Sequence, residues 1–163
     1  MQIVQVLGCT LALVLLTSCA SMQGTVVTRT RLDKEVAGRL AYTAIDAQSS
    51  VGRFSQADLD QLKEAVRVRV PQPAGGAVPV TIRLTVTDYG PGASNMTVAV
   101  RVVDATGKLY AHFDVRQTGS AVLGTVYDQR SSVINAVAER VAYSLMALPA
   151  APAPATDTRD YGS

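Results

Sequence analysis

The strongest constraint on this chain is a period of two that runs almost without interruption from residue 78 to residue 116. Val78, Val80, Ile82, Leu84 and Val86 alternate with Thr81, Arg83, Thr85 and Thr87. Met96, Val98, Val100 and Val102 alternate with Thr97, Ala99 and Arg101. Leu109, Ala111, Phe113 and Val115 alternate with Tyr110, His112, Asp114 and Arg116. Successive side chains of a strand point to opposite faces, so each run reads as a half-buried strand. Tyr89-Gly90-Pro91-Gly92 and Asp104-Ala105-Thr106-Gly107 supply the turns, and the three strands form an antiparallel meander. Pairing Val103 with Lys108 across the second turn sets Val102 opposite Leu109, Val100 opposite Ala111 and Val98 opposite Phe113. A slip of one residue would turn the apolar set outward. One face is therefore apolar and must be covered.

Two helices are available to cover it. Ser55 is an N-cap with Asp58 in the capping-box position, and Leu59, Leu62 and Val66 make a stripe opposite Asp60, Lys63, Glu64 and Arg67. Pro71 and Pro73 forbid continuation, so this helix ends near Val70. The second runs from about Val126 to Leu148, with Ile134, Val137, Val141, Leu145 and Leu148 on one side. Residues 39–47 are less decided. Leu32, Val36, Leu40 and Ala44 recur at helical spacing, whereas Tyr42, Thr43 and Ile45 before Ser49-Ser50-Val51-Gly52 favour a strand ending in a turn. We assign a strand. The expected fold is α+β, a two-layer sandwich in the order β-α-β-β-β-α, with both helices on one face of an antiparallel sheet.

The N-terminus has a separate signature. Ile3 to Leu16 is nearly all apolar and ends in Leu16-Thr17-Ser18-Cys19. Its plan is that of a signal peptide, too short to span a bilayer, which takes about twenty apolar residues. No Lys or Arg precedes the apolar run. The Leu-small-small-Cys ending resembles the lipobox of bacterial lipoproteins, whose cysteine is acylated before cleavage. Val6-Leu7-Gly8-Cys9 fits the same pattern, but no apolar region could precede it. The expected organisation is a signal peptide over 1–18, a lipidated tether over 19–35, one domain over 36–148 and an Ala/Pro-rich disordered tail over 149–163. Buried acyl chain contributes about 0.8 kcal/mol per methylene, and two chains give stable anchoring. By resemblance, Ala20 in place of Asp favours the outer membrane.

With Cys9 removed and Cys19 acylated, no thiol remains for a disulfide, a metal or nucleophilic catalysis. A net charge of +2 comes from scattered arginines without a basic run, which argues against nucleic acid as a partner. His112 is the single histidine, so a zinc site is not expected. As a general base it would need orienting by a carboxylate, and Asp114, one pleat along, has no accompanying nucleophile. Gly107-Lys108 lacks the upstream glycine of a phosphate loop. No cofactor and no active site are expected.

What remains is the polar face of the sheet. The assumed pairing puts Arg101 opposite Tyr110, Ala99 opposite His112 and Thr97 opposite Asp114. Arg83, Arg101, Tyr110, His112, Asp114 and Arg116 form a candidate partner surface, since Arg and Tyr carry interfaces. The competing reading is a solvated face. The exposed edge of the 39–47 strand is a second candidate, for strand addition.

Taken together, the LTSC ending, the VTIRLTVTDYGPG and MTVAVRVVDATGKLYAHFDV runs and the amphipathic last helix resemble a family of small bacterial lipoproteins with a domain of unknown function, related in layout to auxiliary lipoproteins of envelope transport systems. The resemblance covers about residues 40–147 and carries no catalytic residues. It implies a non-enzymatic accessory protein, lipid-anchored on the periplasmic face of the envelope and binding another envelope protein. The alternative is a carrier holding a lipid or glycan between sheet and helices. Packing rich in Val and Ala argues mildly against a roomy pocket.

Overall fold

The structure is a computed structural model, and it describes residues 23–70, 77–93, 95–118 and 126–146. Cys19, the apolar segment before it, the tail over 149–163 and the last residues expected of the final helix, 147 and 148, lie outside the described residues. The elements are β1 (Gln23–Thr30), α1 (Lys34–Ala37), β2 (Leu40–Ser49), α2 (Gln56–Arg69), β3 (Val78–Tyr89), a short 3-10 turn (Pro91–Ala93), β4 (Asn95–Asp104), β5 (Leu109–Thr118) and α3 (Val126–Leu145). Five strands form one mixed sheet in the order β1-β5-β4-β3-β2. The α+β two-layer expectation holds, with the helices on one side.

Packing follows the alternation. Val80, Ile82, Leu84 and Val86 of β3, Met96, Val98, Val100 and Val102 of β4, and Ala111, Phe113 and Val115 of β5 are buried. Facing them are Leu59, Leu62 and Val66 of α2 and Ile134, Val137, Val141 and Leu145 of α3. Each Val, Leu, Ile, Met or Phe side chain among them contributes about 1.5–3 kcal/mol when removed from water. The caps hold as well: Ser55 Oγ accepts from the Asp58 backbone N–H, and the Ser55 N–H donates to the Asp58 carboxylate at 2.9 Å.

Three expectations are corrected. Gln23–Thr30, assigned to the tether, is β1, paired antiparallel with β5 from Gln23↔Thr118 to Thr30↔His112. The folded unit thus includes residues 23–35 of the expected tether. Its run Thr25-Val26-Val27-Thr28 has high β propensity. An edge strand open on both faces shows no alternation, and Val26 and Val27 are 38% and 56% exposed. Second, the sheet is not wholly antiparallel. The strand assigned over 39–47 exists as β2, but it pairs parallel with β3, because α2 carries the chain back across the layer.

Third, the β4–β5 register is shifted. Val103 pairs with Leu109, Val102 with Ala111, Val100 with Phe113 and Val98 with Val115, leaving Tyr110 in a β-bulge. Beyond the bulge the shift is two residues, which keeps every side chain on its expected face. Hydrophobic pattern alone is blind to such a slip. The turn itself sets it: Asp104 Oδ1 accepts from the backbone N–H groups of Thr106 and Lys108 at 2.9 and 3.0 Å, and Gly107 adopts φ 86°.

Candidate functional site

The register defines rows of side chains across the sheet face that α2 and α3 leave uncovered. The first row reads Asp46, Arg83, Arg101, His112 and Thr30, from β2 to β1. The second reads Gln48, Thr85, Ala99, Asp114 and Val27, and the third Asp88, Thr97, Arg116 and Thr25. Arg83, Arg101 and Arg116 are exposed, with His112 half-buried between strands. The middle row is short-chained at its centre, where Thr85 stands opposite Ala99. Long cationic side chains therefore flank a shallow floor.

Of the six candidate surface residues, five share this face. Arg101 is opposite His112 instead of Tyr110, Ala99 is opposite Asp114, and Thr97 is opposite Arg116. Tyr110 departs. It packs half-buried against the core, its hydroxyl donates to Asp104 Oδ2 at 3.0 Å, and Lys108 Nζ lies 5.1 Å from its ring centre. Its phenol is pushed up, first by burial and then by the Asp104 carboxylate. Asp104 in turn is held below the usual carboxylate range, chiefly by the Thr106 hydroxyl and with help from Tyr110. Tyr110 is thus a hairpin residue.

Asp114 does not orient His112. Its Oδ2 accepts from Arg29 Nη2 at 2.9 Å and Nε at 3.1 Å. The sequence reading missed Arg29, because a residue in a tether has no strand partner. An acid–base pair around His112 would need that carboxylate free. Among the described residues no group of three His, Cys, Asp or Glu could hold a metal ion. The guanidinium groups of Arg83, Arg101 and Arg116 make no hydrogen bond or ion pair among the described residues, and Arg83 faces Arg101 directly. Like charges at opposed positions of neighbouring strands are destabilising. The arrangement suits binding of negative charge and offers no nucleophile–base geometry.

Behind the sheet, polar groups are structural. Asp58 is buried, and both its oxygens lie 3.1 Å from Arg130 Nη1, which ties α2 to α3. Burial works against its charged form, but the Ser55 hydroxyl and backbone N–H, then the Arg130 guanidinium, hold the carboxyl below its ordinary range. Gln61 donates to Ser131 Oγ at 3.0 Å and Arg69 to Asn135 Oδ1 at 3.0 Å along the same seam. Fully buried Gln117 accepts from Arg140 Nε at 3.0 Å. Gly24 leaves room for this contact, since a Cβ there would collide with the Arg140 guanidinium and the Gln117 amide oxygen. The interlayer space where a carrier would hold its ligand is filled by Ile82, Leu84, Val98, Val100, Ile134 and Val137.

No family model matches the chain, and no curated protein matches it. Solved structures with a similar chain path include a PelC dodecamer from Paraburkholderia phytofirmans, at TM-score 0.48 and 14% identity over 78% of this chain and 100% of that one. A point variant of that PelC gives TM-score 0.42 and 13% identity over 72% and 95% of the two chains. A Xanthomonas campestris protein with the family label DUF330 gives TM-score 0.43 and 9% identity over 74% and 92%. Likeness at these values does not carry a function across.

Proposed function

We propose that this protein is a lipid-anchored, non-enzymatic accessory protein of the cell envelope that binds another envelope protein through the uncovered face of its sheet. The observation that carries the reading is the opposed Arg83 and Arg101, whose side chains have no partner among the described residues, on the face that α2 and α3 leave uncovered. The anchor is acylated Cys19, on the periplasmic side and, with Ala20 following it, on the outer membrane. Because β1 starts at Gln23, only Ala20, Ser21 and Met22 stand between anchor and sheet. Four residues reach at most about 14 Å. The domain is therefore held against the membrane rather than on a long leash. Restricting it to a thin layer raises its effective concentration toward a membrane-bound partner.

Two measurements on the intact cell envelope test this. Cys19→Ser is expected to move the protein from the membrane fraction to the soluble fraction and to remove the acyl mass; retention at the membrane without acyl mass defeats the anchor. Crosslinking of the lipidated protein is expected to capture one discrete envelope protein, with capture weakened in Arg101→Glu. Undiminished capture in that variant would move the binding surface elsewhere.

A further inference from the structure

The chemistry of the partner can be read from which charges on the uncovered face are already satisfied. Asp114 is taken by Arg29, and Asp88 Oδ2 accepts from Asn95 Nδ2 at 2.8 Å. The Asn95 amide is neutral, so Asp88 keeps its charge, as does Asp46 opposite Arg83; three arginines, Arg83, Arg101 and Arg116, stand against these two carboxylates. The sheet holds Arg83 and Arg101 side by side, with Cβ atoms about 5 Å apart for opposed strand positions. Folding alone gains nothing from that juxtaposition. A ligand that places negative charge between the two guanidinium groups removes the repulsion and gains charge-assisted hydrogen bonds.

The class of ligand follows from three further points. The rows contain neither Phe nor Tyr once Tyr110 is held at the hairpin, so a sugar ring has no aromatic platform on which to stack. The floor of Thr85 and Ala99 is open and shallow, which suits an extended chain more than a compact molecule. The arginine row aligns with Thr30, the last residue of β1, about 23 Å along the strand from Gln23. The Arg83–Arg101 pair is therefore set apart from the anchored end and its anionic lipid headgroups, whereas Arg116 pairs with Thr25, two residues from Gln23. Arginine forks match carboxylates in pairs.

From these observations we infer that the face built by Arg83, Arg101, His112 and Arg116 docks an extended acidic protein segment, its carboxylates seated between the Arg83–Arg101 pair and Arg116. This rests on the partner-binding reading above and names the chemistry of that partner. Asp46 limits the affinity by standing beside Arg83.

The test uses the folded protein and a fluorescent twelve-residue peptide of alternating Glu and Thr, with a Lys–Thr peptide of equal length as control. Anisotropy is expected to show binding of the acidic peptide alone, weakening as salt rises from 50 to 200 mM. Arg101→Glu and Arg116→Glu are each expected to weaken it about tenfold, and Asp46→Asn to tighten it. Arg67→Glu, on the solvent side of α2, makes the same change in net charge and is expected to alter it less than about twofold. The Tm of Arg101→Glu is expected to be unchanged or higher, so lost binding is not lost folding.

Equal losses in Arg101→Glu and Arg67→Glu would reduce the effect to net charge and overturn the site. Binding of phosphatidylglycerol vesicles or alginate, but not the acidic peptide, would overturn the class of partner. If crosslinking captures a partner that Arg101→Glu still binds and the acidic peptide is ignored, this inference fails while the accessory role stands. If neither capture nor peptide binding occurs, both fail.

Discussion

The two faces of the sheet are made by the same strands and obey opposite rules. Ile82, Leu84, Val98 and Val100 point inward, none more than 1% exposed, and belong to one apolar cluster. Arg83, Arg101 and Thr85, interleaved with them, point outward to a row where two cations oppose each other. The inner face is satisfied by folding. The outer face is left with an interaction that folding does not settle, and this is where binding has something to gain. The same contrast holds for carboxylates. Asp58 is enclosed by its cap and Arg130, whereas Asp46 stands exposed with no such partner among the described residues.

The comparison breaks most visibly at neighbouring residues of β3. Leu84→Ala is expected to cost about 2–5 kcal/mol by urea denaturation, as large-to-small changes in a filled core do. Arg83→Ala, one residue away, is expected to stay within about 0.5 kcal/mol. Similar losses for the two would mean that the outer face is buried after all. Gly24→Ala is expected to cost about 1–3 kcal/mol, because the added methyl displaces Arg140 from Gln117. A neutral result would show β1 to be loosely attached.

Asp58→Asn is expected to cost about 1–3 kcal/mol near neutral pH, since it leaves Arg130 facing an amide. The carboxyl of Asp58 titrates lower in the folded chain than its ordinary value of 3.8. Its contribution is thus complete above that value and fades as pH falls through the folded one. The gap between native protein and Asp58→Asn should close in acid and stay constant from about pH 6 upward. A gap independent of acidity would remove the ion pair from the account. The smallest effect has the opposite sign: Arg101→Glu, facing Arg83, is expected to stabilise by about 0.2–1 kcal/mol in a thermal melt.

How much of this was legible in the sequence divides along the same faces. Inner rows, the Ser55 cap and the α3 stripe could be read, because burial imposes a period and a cap imposes a residue type. Strand β1 could not, since an edge open on both sides imposes no period on Thr25 to Thr28. The parallel pairing of β2 with β3 leaves no local mark either. The two-residue shift between β4 and β5 escaped because it preserves facing, yet it changed every neighbour on the candidate surface and carried Tyr110 off it. The Asp58–Arg130 pair joins residues 72 apart, and the visible role of Asp58 as a capping residue gave no hint of a second partner.

On this reading the uncovered sheet face, and not the helical side, meets the partner. Photocrosslinking in intact envelopes tests it most directly, with a benzoylphenylalanine placed at Thr85 on the outer face or at Glu64 on the exposed side of α2. One discrete crosslinked band is expected from position 85, lost when Arg101→Glu is added, and none from position 64. A band from position 64 with nothing from position 85 would contradict it.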